Sequence, residues 1–168
     1  MLVVSDASPF VALVKIGLVE VLPKLYGSVV IPREVAAELA DPNRPKEVRG
    51  FIASPPAWLN IQEPTNIEKI EGIDAGERAA ICLARELQAD ILLIDEVRGR
   101  DAAIARNIRT LRTTAMMLDA ANAGAIPDLE AAFEKLKATN FRVKPETLDG
   151  LLQQHNEFKK RKAADARE

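Results

Sequence analysis

With 168 residues the chain is long enough to bury an aliphatic core in one domain of roughly 100–200 residues, and its one cysteine excludes a disulfide framework. Aromatic residues make up 4% and the formal net charge is -2, which argues against a globally basic nucleic-acid binder and against base recognition on stacked aromatic platforms. Single Cys82 and single His155 exclude cysteine and multi-histidine metal sites, and without a charged leader or an apolar run of ~18 residues a soluble cytoplasmic protein is expected.

In chain order, Leu2–Ser5 reads as a first strand, followed by Asp6 and a turn into a helix with Ser8 as candidate N-cap and Pro9 at the first helical position. Gly17 breaks that helix, and a short second one carries Leu18, Val21, Leu22 and Leu25. Val29–Ile31 is a second strand that Pro32 stops; the same proline opens a helix with Val35 and Leu39 inside and Glu34 and Glu38 one turn apart. A loop at 41–45, a helix over 46–53, a short strand at Trp58–Ile61 and a polar loop over 62–73 follow. Asp74-Ala-Gly-Glu77 opens a strong helix. The run Ile91–Ile94, apolar on both faces, reads as a strand buried in a parallel sheet and ends at Asp95 and Glu96. Residues 99–107 are helical and rich in arginine, 108–113 hold a short strand, and an Ala-rich helix runs to Ala123 with Gly124 as its stop. Further helices start at Asp128 and Pro145, the last ending in Lys159-Lys160-Arg161-Lys162. Strands alternating with helices imply an α/β three-layer sandwich, a mainly parallel central sheet flanked by helices.

Open α/β sheets place ligands at the carboxyl ends of their strands. Asp6 and Asp95 fall there, Glu38 sits on the third helix, and Glu77 lies in the first turn of the helix before the central strand; Asp74, Glu96 and Asp101 are near neighbours. Hard divalent cations take carboxylate oxygens, and clustered carboxylates repel unless a cation sits between them. Such a set suits metal-assisted attack of water on a phosphodiester. Each residue also has a plainer reading. Asp6 and Asp95 would serve as helix caps, Asp74 and Glu77 have capping-box spacing, and Glu38 would be a solvated helix residue. Cys82 reads as a small buried residue and His155 as a surface one. Arg98, Arg100, Arg106, Arg109 and Arg112 either bind phosphates at the same edge or form a solvated face with ion pairs to Asp101 and others.

Val3-Val4-Ser5-Asp6-Ala7-Ser8-Pro9, Ile31-Pro32 with Val35 and Glu38, Asp74-Ala-Gly-Glu77, and Leu92-Leu93-Ile94-Asp95-Glu96 with Arg98-Gly99-Arg100 together resemble a PIN-domain protein. The branch they look most like is the GE-motif prokaryotic group similar to VapC-type toxin nucleases. The motifs span residues 1–126, read as a nuclease core, with 127–168 as a C-terminal helical extension packed on or next to it. The resemblance implies a Mg²⁺ or Mn²⁺ site with Asp6 and Asp95 as ligands, Glu38 as the helix-borne acid and Glu77 as the remaining acid. It implies an endoribonuclease acting on RNA, often a toxin held by a small antitoxin protein, and frequent homodimers. Glu77 stands where many PIN domains have Asp, and Glu96 where relatives of this branch often have a second Asp.

Three functions compete on these residues. The first is the metal-dependent ribonuclease. The second is a PIN-like module with little or no turnover that binds RNA or a partner protein. The third is another α/β phosphate enzyme or a phospho-acceptor domain, which four dispersed acids and the absence of a Walker-type phosphate loop fit less well.

Overall fold

The computed structural model describes residues 1–167. Two compact units divide it, Met1–Thr113 and Thr114–Glu168. The first unit holds all five strands: β1 (Val3–Ser5), β2 (Val29–Pro32), β3 (Leu59–Gln62), β4 (Ile91–Leu93) and β5 (Thr110–Leu111). Their order in the sheet is β3-β2-β1-β4-β5, and every neighbouring pair is parallel. Helices α1 (Ala7–Lys15), α2 (Val21–Tyr26), α3 (Arg33–Leu39), α4 (Lys46–Ala53), α5 (Ala75–Glu86) and α6 (Val97–Ile104) connect them, so this is an α/β fold with helices flanking an all-parallel sheet.

The topology follows from short apolar runs that can be buried on both faces. All residues of β1, β2 and β4 are buried. Val4, Val30, Leu92 and Ile94 form one core layer with Ala80, Ile81, Leu83 and Ala84 of α5 and Ala103 of α6. The small residues of α5 let it lie close on the sheet, where it touches β1, β2 and β4. Phe10, Phe51 and Trp58 make a separate aromatic cluster, with ring centroids 5.8 to 6.3 Å apart, that ties α1 and α4 to the start of β3. The chain runs β1, β2, β3 outward to one side of β1 and then returns to β4 and β5 on the other. That reversal creates a crevice between β1 and β4 at their carboxyl ends, the place where such sheets bind ligands.

Several local expectations shift by a residue or two. The first helix begins at Ala7, so Asp6 and not Ser8 occupies the N-cap position. Pro32 is itself the last residue of β2, paired with Gln62 of the edge strand β3, and it is also the N-cap of α3. Beyond Gln62, which ends β3, the polar stretch to residue 73 is a loop, and it is anchored. Thr65 donates its amide and hydroxyl to the Glu86 carboxylate at 2.7 and 2.6 Å, Glu68 pairs with Arg85 and Arg106, and Ile70 enters the core.

In the second unit, α7 (Thr113–Asn122), which starts at the last residue of the first, is followed by α8 (Leu129–Lys137) and α9 (Pro145–Asp165). Gly124 ends the α7 segment at φ 81°, and Asp128 caps α8 by accepting from the Ala131 amide at 2.9 Å. His155 is half-buried rather than on the open surface, its Nδ1 2.7 Å from Asn122 Oδ1. Among the described residues, no helix is long and apolar enough to cross a membrane.

Candidate active site

The crevice is assembled from strand register. Ser5 lies opposite Leu93, and the Asp6 amide donates to the Leu93 carbonyl at 2.9 Å, so β1 and β4 end level with each other. Asp6 leaves β1 into this crevice with the residue 5% exposed, and one carboxylate oxygen, Oδ1, is buried without a hydrogen-bond partner. Burial pushes Asp6 up to about 8; the Ala7 amide opposes this, and the charges of Glu38, Glu77 and Asp74 add to it.

Helix α5 supplies the next two acids. Asp74 is its N-cap and accepts from the Glu77 amide at 2.8 Å, the capping geometry that the spacing suggested. Glu77 is nonetheless buried, and burial followed by the Asp74 charge pushes it up to about 7, with Glu96 and Glu38 adding further. Its carboxyl group lies against α6 at Gly99, where any Cβ would stand 3.5 Å from the Glu77 Cδ. A cap is therefore made here, and the buried acid is held beside the same crevice.

Glu38 reaches in from α3. Its carboxylate occupies the space a side chain at Gly76 would need. Burial and the Asp74 charge raise it from the ordinary carboxylate range, opposed by Arg44 and the Gly76 amide. Arg44 lies 4.0 Å from Glu38 Oε2 and donates to the Glu38 carbonyl at 3.3 Å. Asp6, Glu38 and Glu77 thus feel one another, together with exposed Asp74 and Glu96.

Asp95 is oriented differently. Its two oxygens accept from the amide and the hydroxyl of Thr113, at 2.8 and 2.6 Å. Burial raises its pKa, opposed by the hydroxyl and amide of Thr113 and by the charges of Arg112 and Arg100. Among the five arginines, Arg106 is used elsewhere, its guanidinium forming two bonds with Glu68 and one with the Ala102 carbonyl. Arg100 and Arg112 lie on the Asp95 side of the crevice.

Among the described residues, no three Asp, Glu, His or Cys side chains converge into a ready-made metal cage. What the crevice offers is a set of carboxylate oxygens, one of them buried without a partner and held largely protonated. Asp6, Glu38 and Glu77 are the residues that could hold a hard divalent cation that keeps part of its water shell.

Sequence reasoning missed three supports. Thr113 fixes Asp95; the signal for it was a Thr-Thr pair opening an Ala-rich helix directly after a strand. Gly76 makes room for Glu38, and Gly99 makes room for Ile94 and Glu77; both glycines stand inside the quoted motifs, without a reason visible locally.

A family model described as DUF3368, a PIN domain, matches residues 2–157. Among solved structures, a PilT N-terminus domain protein from the hyperthermophilic archaeon Sulfolobus solfataricus is similar at TM-score 0.55 and 15% identity, over 76% of this chain and 96% of that one. No curated protein matches.

Proposed function

We propose, from the premise that this chain belongs to the PIN-domain family, that it is a divalent-metal-dependent endoribonuclease. PIN domains are generally nucleases that use divalent metals, and the further step to this chain's own chemistry rests on one observation: the buried Asp6 carboxylate with an unpartnered oxygen, ringed by Glu38, Asp74 and Glu77. Bringing four carboxylates together has a large electrostatic cost in metal-free protein, and a cation relieves it. Mg²⁺ or Mn²⁺ bound here would supply an activated water at neutral pH. The chain's own contribution is to hold Asp6 between the strand ends, to set Glu77 against α6, and to bring Glu38 over Gly76. Asp95, fixed by Thr113, lines the side where the arginines stand. The narrower role is that of a VapC-like toxin of the GE-motif branch, held by a small antitoxin and acting as a homodimer in the cytoplasm.

A second reading is favoured by the engagement of Asp95. With both its oxygens on Thr113, Asp95 also serves as a structural clamp, and a PIN-like module that binds RNA or a partner protein without turnover is consistent with that. Incubating the protein with single-stranded and structured RNA in Mn²⁺, in Mg²⁺ and in chelator separates the two. Cleavage that requires metal and disappears in folded Asp6→Asn and Glu77→Gln variants supports the nuclease. RNA bound but intact in every wild-type lane moves the assignment to the binding module.

A further inference from the structure

We propose that Arg100 and Arg112 act together as a clamp for one backbone phosphate of the RNA strand, on the Asp95 side of the crevice; the nature of the strand rests on the ribonuclease reading.

The strand ends bring the two residues together. Arg112 directly follows β5, whose Leu111 is in register with Leu93 of β4 and accepts from the Ile94 amide at 3.1 Å. Arg100 stands one turn into α6, its amide bonded to the Glu96 carbonyl at 2.9 Å. After burial, the Arg112 charge has the largest influence on Arg100, ahead of Asp101, Asp95 and Glu96. The two charges are therefore close enough to repel.

Neither is neutralised. Arg33, Arg44, Arg85 and Arg106 each have a carboxylate within 4.0 Å, whereas Arg100 and Arg112 take part in no ion pair and no side-chain hydrogen bond among the described residues. Arg100 Nε is buried with no acceptor at all. Asp95, whose charge also acts on Arg100, has both oxygens committed to Thr113. A close pair of like charges with a buried donor and no acceptor is a poor arrangement for stability alone. It suits an anion with several oxygens, because a planar guanidinium fork matches phosphate oxygens two at a time.

The clamp also answers a problem of charge. An RNA backbone approaching Asp6, Glu38, Asp74, Glu77 and Glu96 meets like charge, and a cationic pair at the rim offsets it at the phosphate next along the strand. The exposed position of Arg112 leaves it free to reach the backbone, while half-buried Arg100 gives the pair a fixed orientation.

The test is the affinity of a short fluorescein-labelled single-stranded RNA, read by anisotropy in chelator across a salt series, beside metal-dependent cleavage of the same RNA. Variants are Arg112→Gln, Arg100→Lys, the double variant, and Arg85→Gln, whose residue pairs with Glu68 in the last turn of α5. Thermal melts confirm that each is folded. The double variant is expected to bind about tenfold more weakly. Its log–log salt slope is expected to fall by about 0.7, the value for one phosphate contact on a single strand. Arg100→Lys is expected to weaken binding with the slope kept, and Arg85→Gln to bind like wild type. An affinity and slope equal to wild type in the folded double variant, or no binding of this RNA by wild type, overturns the clamp. Arginine-dependent binding without cleavage keeps the clamp and removes the nuclease. Cleavage with arginine-independent binding does the reverse.

Discussion

The Asp95 carboxylate accepts from both the backbone amide and the side-chain hydroxyl of Thr113, so the segment just after β4 is bonded to the residue that opens α7, two positions after β5. One acid at the crevice thereby ties the chain after β4 to the chain after β5.

Replacing Thr113 with valine keeps the shape and removes the hydroxyl. Thr113 is fully buried and Asp95 half-buried, so the half-buried carboxylate is left with one partner fewer. A loss of about 1–3 kcal/mol is expected. It would show as a lower urea midpoint at unchanged m-value, with Thr113→Ser recovering part of it. A Thr113→Val protein as stable as wild type would mean that the hydroxyl bond contributes nothing.

The acids predict the direction of pH dependence. Asp6 is raised to about 8 from an ordinary value of 3.8, and Glu77 to about 7 from 4.5. Between the ordinary and the raised values the unfolded chain has lost these protons while the folded chain still holds them. Stability contributed by these groups is therefore full below pH 4 and falls as pH rises towards 8. In chelator, the melting temperature of wild type should fall more between pH 5 and pH 8 than that of Asp6→Asn, with Mn²⁺ restoring wild type at pH 8. Parallel pH profiles for the two proteins would refute the assignment.

At Gly76 stability and function should separate. A methyl group there collides with the Glu38 carboxylate, which is the movable end of a flexible side chain. Alanine also has less backbone freedom to lose than glycine at this first-turn position, a gain of a few tenths to about 1 kcal/mol. Gly76→Ala should therefore keep or raise the melting temperature while lowering metal-dependent cleavage at least about tenfold, the effect of losing a ligand's support. Full activity in this variant would show that the Glu38 position is immaterial.

Gly99 gives the opposite outcome. A Cβ there would stand 2.6 Å from Cδ1 of Ile94, a residue with no exposure to solvent. Overpacking of this kind costs about 1–3 kcal/mol. Gly99→Ala should lower the denaturation midpoint, and adding Ile94→Val, which removes the Cδ1 methyl, should recover much of the loss. A double variant no better than the single would place the strain elsewhere.

The sequence by itself determined the elements and their class. Helical spacing of small and aliphatic residues marks α5, and the helix read over 46–53 is found at Lys46–Ala53. Apolar runs without alternation mark β1 and β4, and their alternation with helices requires a parallel sheet with acids at its carboxyl edge. These are local properties, carried by a residue and its near neighbours. Only the tertiary structure decided which side chains meet. Glu38 and Gly76, Asp95 and Thr113, and Arg100 and Arg112 each join different elements, and their approach depends on strand order, helix placement and the direction each side chain takes. A helix that begins at Ala7 instead of after Ser8 also turns its side chains to other directions, and no local pattern fixes that choice. The acids were visible as candidates because their chemistry is written in the residue types. Their division into a buried group around Asp6 and a Thr113-bound Asp95 beside two arginines is a product of packing, which sets distance and burial, and so the charge each group can bear.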